Sequence, residues 1–317
     1  MSDRKRSTKL IGVGAATASL ALMLSACGGG AEGGVSTGPE GGDEAANKEI
    51  TIGLIPWEED IAVTHLWKAV LEEKGYDVTI KNVDVAPVFE GTANGDIDLF
   101  LDTWLPGTHG DYWDEYGDKL EDLGAWNEGA SLELTVPSYM EDINSIEDLK
   151  GNADQFNGEI IGIESGSGLV QTTEEEAIPA YGLGEEYKLV KSSTPAMLEE
   201  LRTAIKDEKP IVVTLWRPHI IYAQEDLKDL EDPKGAMGEP ESLHSVGRPG
   251  FSEDFPKVAD WLGNFKLDGE QIGDLEQVVI AEHEGEETEG AKAWLAENPE
   301  VLETAMGEDA KGLDFSS

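Results

Sequence analysis

Cysteine is almost absent from this chain, because Cys27 is the only one among 317 residues. A single thiol cannot form a disulfide within the chain, and it cannot build a structural zinc site that needs several cysteines. The sequence also has no paired metal-binding histidines, no nucleophile elbow and no P-loop lysine. Its five histidines are widely scattered, at positions 65, 109, 219, 244 and 283. The sequence therefore predicts no metal site, no cofactor and no enzymatic activity.

Basic residues are few as well. The chain has 23 Lys and Arg against 66 Asp and Glu, which gives a formal net charge of −43. Nucleic-acid phosphates and anionic membrane surfaces repel such a chain, so a nucleic-acid partner is not expected. So large an excess of carboxylates favours solubility in concentrated salt. We therefore predict a halophilic or salt-tolerant source.

No apolar run is long enough for a stable membrane span, which needs about 20 residues. The stretch from Leu10 to Ala26 is shorter, rich in Ala, Gly and Ser, and preceded by a basic segment. It is typical of a secretory signal peptide. The stretch ends in Leu24-Ser25-Ala26-Cys27, which resembles a bacterial lipobox. We predict a lipoprotein signal peptide at residues 1–26 and a lipid on Cys27 that anchors the protein to the outer face of the cell membrane; the alternative is an ordinary signal peptide with an incidental cysteine.

The segment after Cys27 has the composition of a flexible tether. Residues 27–48 are rich in Gly, Ser, Pro and acids and poor in apolar side chains. Folded chain is expected from Glu49 onward. The remaining length exceeds what one hydrophobic core usually organises, so two lobes are predicted.

Short apolar runs alternate with helical patterns, which is typical of βα units. Strands are predicted at residues 50–55, 77–83, 97–101, 132–136, 159–163, 187–191 and 211–215. Helices are predicted at residues 61–74, 86–94, 144–149, 169–178, 194–206, 251–261 and 289–305. The turn-rich segment 235–250 is expected to return the chain to the first lobe. We predict an α/β fold with lobe I formed by 49–136 plus 241–305, lobe II by 137–240, a hinge between them, and a tail at 306–317.

Three tryptophans follow or end predicted strands. Trp57 follows the strand ITIGLI, Trp104 follows IDLFLDT, and Trp216 follows IVVTL. Ligands of open α/β sheets bind outside the carboxyl ends of the strands, so these indoles are candidates for one pocket. Indole faces attract cations by about 0.5–2 kcal/mol each, which suits a bulky trimethylammonium group. The alternative for each tryptophan is packing within its own lobe.

A glycine-bearing loop, Glu164 to Leu169, joins a predicted strand to a predicted helix. Its backbone N–H groups would suit a carboxylate or a phosphate, although a plain βα turn has the same pattern. His109, five residues after Trp104, is a candidate donor to the same anion. His219 is its competitor, and a structural role is the alternative for both.

Four segments of the sequence resemble the substrate-binding proteins of glycine betaine/proline betaine ABC importers, over residues 50 to about 300. They are IGLIPWEEDIAVTHLWKAVLEEKGY, NGDIDLFLDTWLPGTHGDYW, IIGIESGSGLVQ and VVTLWRPHIIYA. The resemblance implies a two-lobed, periplasmic-binding-protein-like (type II) Venus-flytrap fold. It also implies an aromatic box of Trp57, Trp104 and Trp216 around a quaternary ammonium. The ligand carboxylate would be held by the amides of Gly168 and Leu169 and by His109.

The function implied by this resemblance is extracytoplasmic capture of glycine betaine, or a related betaine, by a monomer. The protein would deliver it to an ABC transporter permease for osmoprotection. One alternative is the same fold binding choline, carnitine or ectoine, and another is a ligand-sensing lipoprotein without a transporter. Choline lacks a carboxylate, so the predicted carboxylate site favours a betaine. Arg217 departs from the expected pattern and is open to contact with either the substrate or a surface acid.

Overall fold

The structure is a computed structural model that describes residues 48–315. The predicted signal peptide, Cys27 and all but the last residue of the predicted tether lie outside the described residues. The described residues belong to one compact unit. None of their helices has the length and apolar character needed to span a membrane.

Strands and helices alternate along most of the described chain. The strands are β1 (Glu49–Leu54), β2 (Asp77–Asn82), β3 (Leu99–Leu105), β4 (Glu121–Pro137), β5 (Glu159–Ile161), β6 (Lys188–Val190), β7 (Val213–Arg217), β8 (Leu227–Asp229) and β9 (Glu241–Gly247). The α-helices are α1 (Glu58–Glu73), α2 (Val85–Asn94), α3 (Gly110–Tyr116), α4 (Gly168–Thr172), α5 (Ile178–Tyr181), α6 (Thr194–Lys206), α7 (Ile221–Gln224), α8 (Phe251–Asp254), α9 (Pro256–Asn264), α10 (Gly269–Glu276), α11 (Glu287–Glu297) and α12 (Pro299–Met306). Two π-helical segments, Thr173–Ala177 and Gln277–Glu282, follow α4 and α10. Short 3-10 helices lie at Gly117–Lys119, Ile146–Leu149, Ala153–Phe156 and Gly307–Ala310.

The strands form two half-sheets that share β4. In the first half-sheet the order is β2-β1-β3-β9, with β1 parallel to β2 and β3 and with β9 antiparallel to β3. In the second, β7 pairs with β5, and β5 pairs in parallel with β6. The first part of β4 pairs with β9, and its last residues pair with β7 and β8. The predicted boundary between the lobes, after residue 136, lies at the end of this shared strand and stays a prediction.

One error in the predicted elements concerns β4, which begins at Glu121 and not at residue 132. Register shifts interrupt its pairing with β9 at three places, including one between Glu128 and Ala130. Each such bulge breaks the strict alternation of apolar and polar residues by which a strand is recognised. The eleven residues from 121 to 131 therefore have the sequence pattern of a polar connection.

The segment 235–250 was also predicted incompletely, because it contains β9 between its turns. This strand lies between β3 and β4 in the middle of the sheet. Its sequence, ESLHSVG, has only two large apolar residues, so hydrophobic patterning does not reveal it. Both of these residues, Leu243 and Val246, are fully buried.

Most of the predicted helices are present, with differences at their ends, but α3, α7 and α10 were not predicted. Helix α6 has the predicted bounds, and α1 begins at Glu58, three residues earlier than predicted. The acidic first turn of α1 favours this start, since negative charge is stabilised near a helix N-terminus. The single helix predicted at 289–305 is two helices, α11 and α12, because Pro299 cannot continue a helix but readily begins one.

Candidate ligand pocket

The three tryptophans singled out by the sequence line one cavity of about 240 Å³. Trp57 follows β1 directly before α1, Trp104 is in β3, and Trp216 is in β7. All three are buried, and the Trp57 and Trp216 rings lie 6.2 Å apart, centroid to centroid, at 53°. The first half-sheet thus supplies two indoles and the second supplies one.

The rest of the cavity wall is mainly apolar. Leu132, Ile163 and Leu169 contribute aliphatic surface, and Thr108, Ser167 and Glu59 contribute polar atoms. An apolar wall with a few polar groups is typical of sites that orient a small molecule. Within residues 48–315, no group of three or more His, Cys, Asp or Glu side chains is arranged to hold a metal ion.

The glycine loop closes one side of this cavity. Ser167 caps α4 by accepting a hydrogen bond from the N–H of Val170, and Gly168 and Leu169 are the first helical residues. N–H groups at the first positions of a helix have no helical acceptor, so those of Gly168 and Leu169 are available to a ligand. A β-carbon on Gly168 would lie 1.9 Å from the carbonyl oxygen of Thr108. Only glycine permits the loop to approach the end of β3 this closely.

His109 is completely buried beside the cavity. Its Nδ1 accepts a hydrogen bond from the backbone N–H of Trp104 at 2.9 Å, so the proton of the neutral ring is on Nε2. Burial lowers the pKa of His109 to about 3, which keeps the ring neutral. Nε2 is buried and has no hydrogen-bond partner among the described residues. The ring stacks on Trp57 at 5.7 Å; the cavity wall itself includes the neighbouring Thr108 but not His109.

The competing histidine, His219, packs behind Trp216. Its ring meets the indole edge-to-face with centroids 4.6 Å apart. Its Nδ1 accepts from the N–H of Ile221 at 3.0 Å, and its Nε2 lies 3.3 Å from a carboxylate oxygen of Glu58. His219 therefore already faces an acid, whereas Nε2 of His109 has no hydrogen-bond partner in the described part of the chain.

Arg217 does not line the cavity. Its guanidinium Nε donates to Asp229 at 2.6 Å, and its charge lies over the Tyr222 ring at 3.6 Å. The sequence left open whether Arg217 contacts the substrate or a surface acid, and in the structure it contacts an acid, Asp229.

Sequence reasoning missed the acidic residues of the site. Glu59 lines the cavity, and its Oε2 accepts a hydrogen bond from the Trp216 indole at 2.9 Å. Asp102 accepts from the Trp104 indole at 3.1 Å, and Glu164 accepts from the Trp57 indole at 3.5 Å. Glu59 and Asp102 are each two residues from a box tryptophan along the chain. This spacing was a usable signal, but the abundance of acids elsewhere in the sequence hides it.

Glu59, which lines the cavity, and three further acids, Asp60, Asp102 and Glu276, are buried. Burial raises the pKa of Glu59, Asp102 and Glu276 well above the usual range, and it raises the pKa of Asp60 to about 7. The negative charges of these groups raise one another's pKa further, for example that of Glu59 on Asp102. A positive charge in the cavity would favour the ionised form of these groups.

Two hydrogen bonds join the rim of the cavity. The Tyr112 hydroxyl in α3 donates to the carbonyl of Gly166 at 3.0 Å, and the Gln171 amide in α4 donates to Asp111 at 2.9 Å. They link the segment after β3 to the segment after β5. The pocket is thus enclosed by parts of the chain that belong to different half-sheets.

The chain matches a family model described as the substrate binding domain of an ABC-type glycine betaine transport system, over residues 48–297. The glycine betaine/carnitine transport binding protein GbuC of Listeria monocytogenes is 39% identical over 155 residues, which are 48% of this chain and 50% of that protein. The match thus spans half the length of the Listeria protein.

Solved structures agree with this assignment. The glycine/betaine/L-proline-binding protein ProX of Borrelia burgdorferi is 34% identical with a TM-score of 0.77, covering 83% of this chain and 98% of that one. Lactococcal OpuAC, in its closed conformation complexed with glycine betaine, is 33% identical with a TM-score of 0.76, covering 82% of this chain and 100% of that one. These similarities confirm the predicted α/β fold of the type II periplasmic-binding-protein class.

The family consists of transport proteins and not of enzymes, as the sequence predicts. Substrate-binding proteins of ABC importers act outside the cytoplasm, so this chain is extracytoplasmic. This chain belongs to the family of substrate-binding domains of ABC-type glycine betaine transport systems.

Proposed function

We propose that this protein captures glycine betaine, or a closely related betaine, and delivers it to the permease of an ABC importer for osmoprotection. The observation that carries the proposal is the convergence of Trp57, Trp104 and Trp216 on one small cavity. A trimethylammonium group cannot donate hydrogen bonds, so indole faces are its natural partners. Three such faces out of water would contribute on the order of 6 kcal/mol, most of the roughly 8 kcal/mol of a micromolar Kd.

The opposite end of a betaine is a carboxylate, and the wall near Thr108 offers donors for it. The N–H groups of Gly168 and Leu169 have no helical acceptor, and the protonated Nε2 of His109 is buried without a partner. A buried unpaired donor costs about 1–3 kcal/mol, which a ligand oxygen would recover. We infer that these three groups hold the carboxylate.

A neutral His109 suits this role. With the pKa of its ring lowered to about 3, it donates one N–H without carrying a charge that would repel the ammonium group. Choline has the ammonium group but lacks the carboxylate, so it would leave these donors unpaired. The same argument favours carnitine or proline betaine over choline among the alternatives.

Isothermal titration with glycine betaine, choline and L-proline in parallel tests the proposal. The protein would be residues 49–317, studied at high salt. We expect tight betaine binding and choline binding weaker by at least about tenfold, or 1.4 kcal/mol. Tight choline binding without betaine binding would keep the aromatic box and overturn the carboxylate site. No heat with any betaine would refute the proposed function.

We also propose that the protein is a monomer, tethered by a lipid on Cys27 through residues 27–48. The support is the lipobox-like Leu24-Ser25-Ala26-Cys27 and the tether-like composition after it. Wild-type protein expressed in a bacterial host should incorporate labelled palmitate and sediment with membranes. Cys27→Ser should do neither, and membrane attachment of this variant would exclude the lipid anchor.

The two lobes are proposed to close on the ligand, with Trp57 and Trp104 on one side and Trp216 and Gly168 on the other. The support is the origin of the cavity wall in both half-sheets. Small-angle scattering should show a smaller radius of gyration at saturating betaine. An unchanged profile would contradict closure.

The net charge of −43 supports a salt-rich habitat, in which an imported compatible solute is useful. Salt screens the repulsion between like charges, so the free energy of unfolding should rise from low to molar NaCl. A stability that is constant over this range would count against a halophilic source.

A further inference from the structure

Each indole of the aromatic box donates its N–H to a carboxylate. Trp216 donates to Glu59 at 2.9 Å, Trp104 to Asp102 at 3.1 Å, and Trp57 to Glu164 at 3.5 Å. We propose that Glu59, Asp102 and Glu164, here called the outer carboxylates, position the three rings and, ionised beside a bound cation, supply the negative charge by which the pocket prefers a cation to a neutral group of the same shape. This inference rests on the proposed function, since it assumes a quaternary ammonium in the box.

The structural observations that support this role are most complete for Glu59. Its side chain is buried in the first turn of α1 and lines the cavity. One carboxylate oxygen is occupied by the Trp216 indole, while the other, Oε1, is buried without a hydrogen-bond partner in the described chain. A buried acceptor without a partner is costly, and a positive ligand beside it would reduce that cost.

Asp102 repeats the arrangement behind Trp104. It is completely buried in β3, with Oδ1 on the indole N–H and Oδ2 lacking any hydrogen-bond partner among residues 48–315. The charges of Glu59 and Asp60 raise its pKa. No Lys or Arg is among the groups that act on the pKa of Glu59 or Asp102. Burial keeps the pKa values of these carboxyl groups raised, so they gain negative charge only where a cation stabilises the ionised form.

Glu164 is held differently, because it is anchored by a neighbouring segment. It accepts hydrogen bonds from the backbone N–H of Thr194 at 2.8 Å and from its hydroxyl at 2.9 Å. The carboxylate that meets the Trp57 indole is thereby fixed at the start of α6. Trp57 and Glu59 come from the segment after β1, while Glu164 and Trp216 come from the second half-sheet. Each side of the cavity thus supplies a carboxylate to an indole of the other.

The charge of these groups acts on a ligand at short range in a poorly solvated site. The attraction between an ionised carboxylate and a cation is stronger in such a site than in water. The same charges do nothing for an uncharged tert-butyl group. Hydrogen bonding alone would orient the rings equally for both ligands. A comparison of two such ligands therefore separates charge from positioning.

The test compares glycine betaine with 3,3-dimethylbutyrate, in which a quaternary carbon replaces the ammonium nitrogen. The variants are Glu59→Gln and Asp102→Asn, whose amide oxygens can still accept the indole N–H while the charge is lost. The matched control is Asp274→Asn, because Asp274 accepts from the indole of Trp294 at 3.0 Å outside the pocket. Titration calorimetry, with competition for the weaker ligand, gives the dissociation constants.

We expect Glu59→Gln to weaken betaine at least about tenfold and the neutral analogue less than about threefold. Asp102→Asn should follow the same pattern, and Asp274→Asn should change neither. Equal losses of affinity for both ligands would show that the outer carboxylates only position the rings and do not act through their charge. No loss of affinity for either ligand would refute the inference. Failure of the wild type to bind betaine would instead refute the proposed function. If the buried variants do not fold, Glu164→Gln carries the same test at a half-buried side chain.

A second measurement does not depend on the neutral analogue. The acids that face Glu59 are Glu58 and Asp60 on α1, Asp102 on β3 and Glu276 on α10, with His219 after β7 the basic group nearest to Glu58. A cation placed against this group favours ionisation, so betaine binding should release protons near neutral pH. Calorimetry in two buffers of different ionisation enthalpy measures that release. Glu59→Gln should reduce it, and an unchanged release would contradict the role of Glu59.

Discussion

A β-carbon added to Gly168 would lie 1.9 Å from the carbonyl oxygen of Thr108. Thr108 follows β3 of the first half-sheet, and Gly168 follows β5 of the second. Their backbones approach so closely that no side chain fits between them. The close approach of the glycine loop to the end of β3 is therefore possible only because residue 168 has no side chain. Any larger residue at 168 must push the two segments apart.

Gly168→Ala should weaken glycine betaine binding by at least about tenfold, because it displaces the amides proposed to bind the carboxylate. Gly166→Ala is the matched control, since a β-carbon there would meet only the Tyr112 hydroxyl, at 3.8 Å. Calorimetry on both variants checks this. Equal affinities for Gly168→Ala and the wild type would show that the loop does not need this contact.

Trp104→Ala should cost more than about 1.4 kcal/mol in betaine affinity, which is a tenfold change in Kd. Removing this buried ring will also destabilise the fold by roughly 3–5 kcal/mol. Trp294→Ala provides a comparison, because Trp294 is equally buried but lies outside the cavity wall. Titrations below the melting temperature of both variants should show the affinity loss for Trp104 alone. An unchanged Kd would remove Trp104 from the box.

His109→Ala should weaken betaine by about tenfold but leave choline nearly unaffected, because only betaine has the carboxylate that Nε2 would bind. The pKa of His109 is lowered to about 3, so its ring stays neutral from pH 5 to pH 8. The ratio of wild-type to variant affinity should therefore be the same at pH 5.5 and pH 7.5. A ratio that follows an ordinary histidine titration would mean that His109 binds its ligand in the charged form.

Asp60 should make the wild type less stable as the pH rises toward neutrality. Burial raises its pKa from 3.8 to about 7, so between these values the folded state retains a proton that the unfolded state has lost. The free energy of unfolding then falls by up to about 1.4 kcal/mol per pH unit. Asp60→Asn can still pair with the N–H of Ile55 and the Thr64 hydroxyl, which Asp60 binds.

Urea unfolding of both proteins at pH 5 and pH 7 measures this difference. The stability of Asp60→Asn relative to the wild type should increase from pH 5 to pH 7. Parallel changes in the two proteins would show that Asp60 ionises in the folded state at an ordinary pKa.

Local patterns were sufficient for most of the elements that carry the pocket. Strands β1 and β7 and helix α6 were predicted within about two residues, because apolar runs, caps and prolines act over a few neighbouring positions. Trp57, Trp104 and Trp216, all near strand ends, line one cavity, and their role as a ligand box stays a prediction. The choice of His109 and of the Gly168 and Leu169 amides as ligands stays a prediction, although the structure places all three beside that cavity.

Other features depended on contacts that no local pattern contains. Strand β9 is polar enough to read as a turn, and it is a strand because β3 and β4 flank it. The bulged part of β4 is hidden for the same reason. The indole–carboxylate pairs Trp57–Glu164 and Glu59–Trp216 join residues 107 and 157 positions apart. Among 66 acidic residues, the sequence does not single out these two.

The amino-acid sequence by itself determined the α/β class, the order of most elements and the three indoles of the pocket, because these follow from short-range patterning and motif spacing. Only the tertiary structure decided which acids lie behind the indoles, which nitrogen of His109 carries the proton, and that the pKa values of Glu59, Asp60 and Asp102 are raised. Burial and hydrogen bonding set these properties, and both arise when distant segments of the chain come into contact.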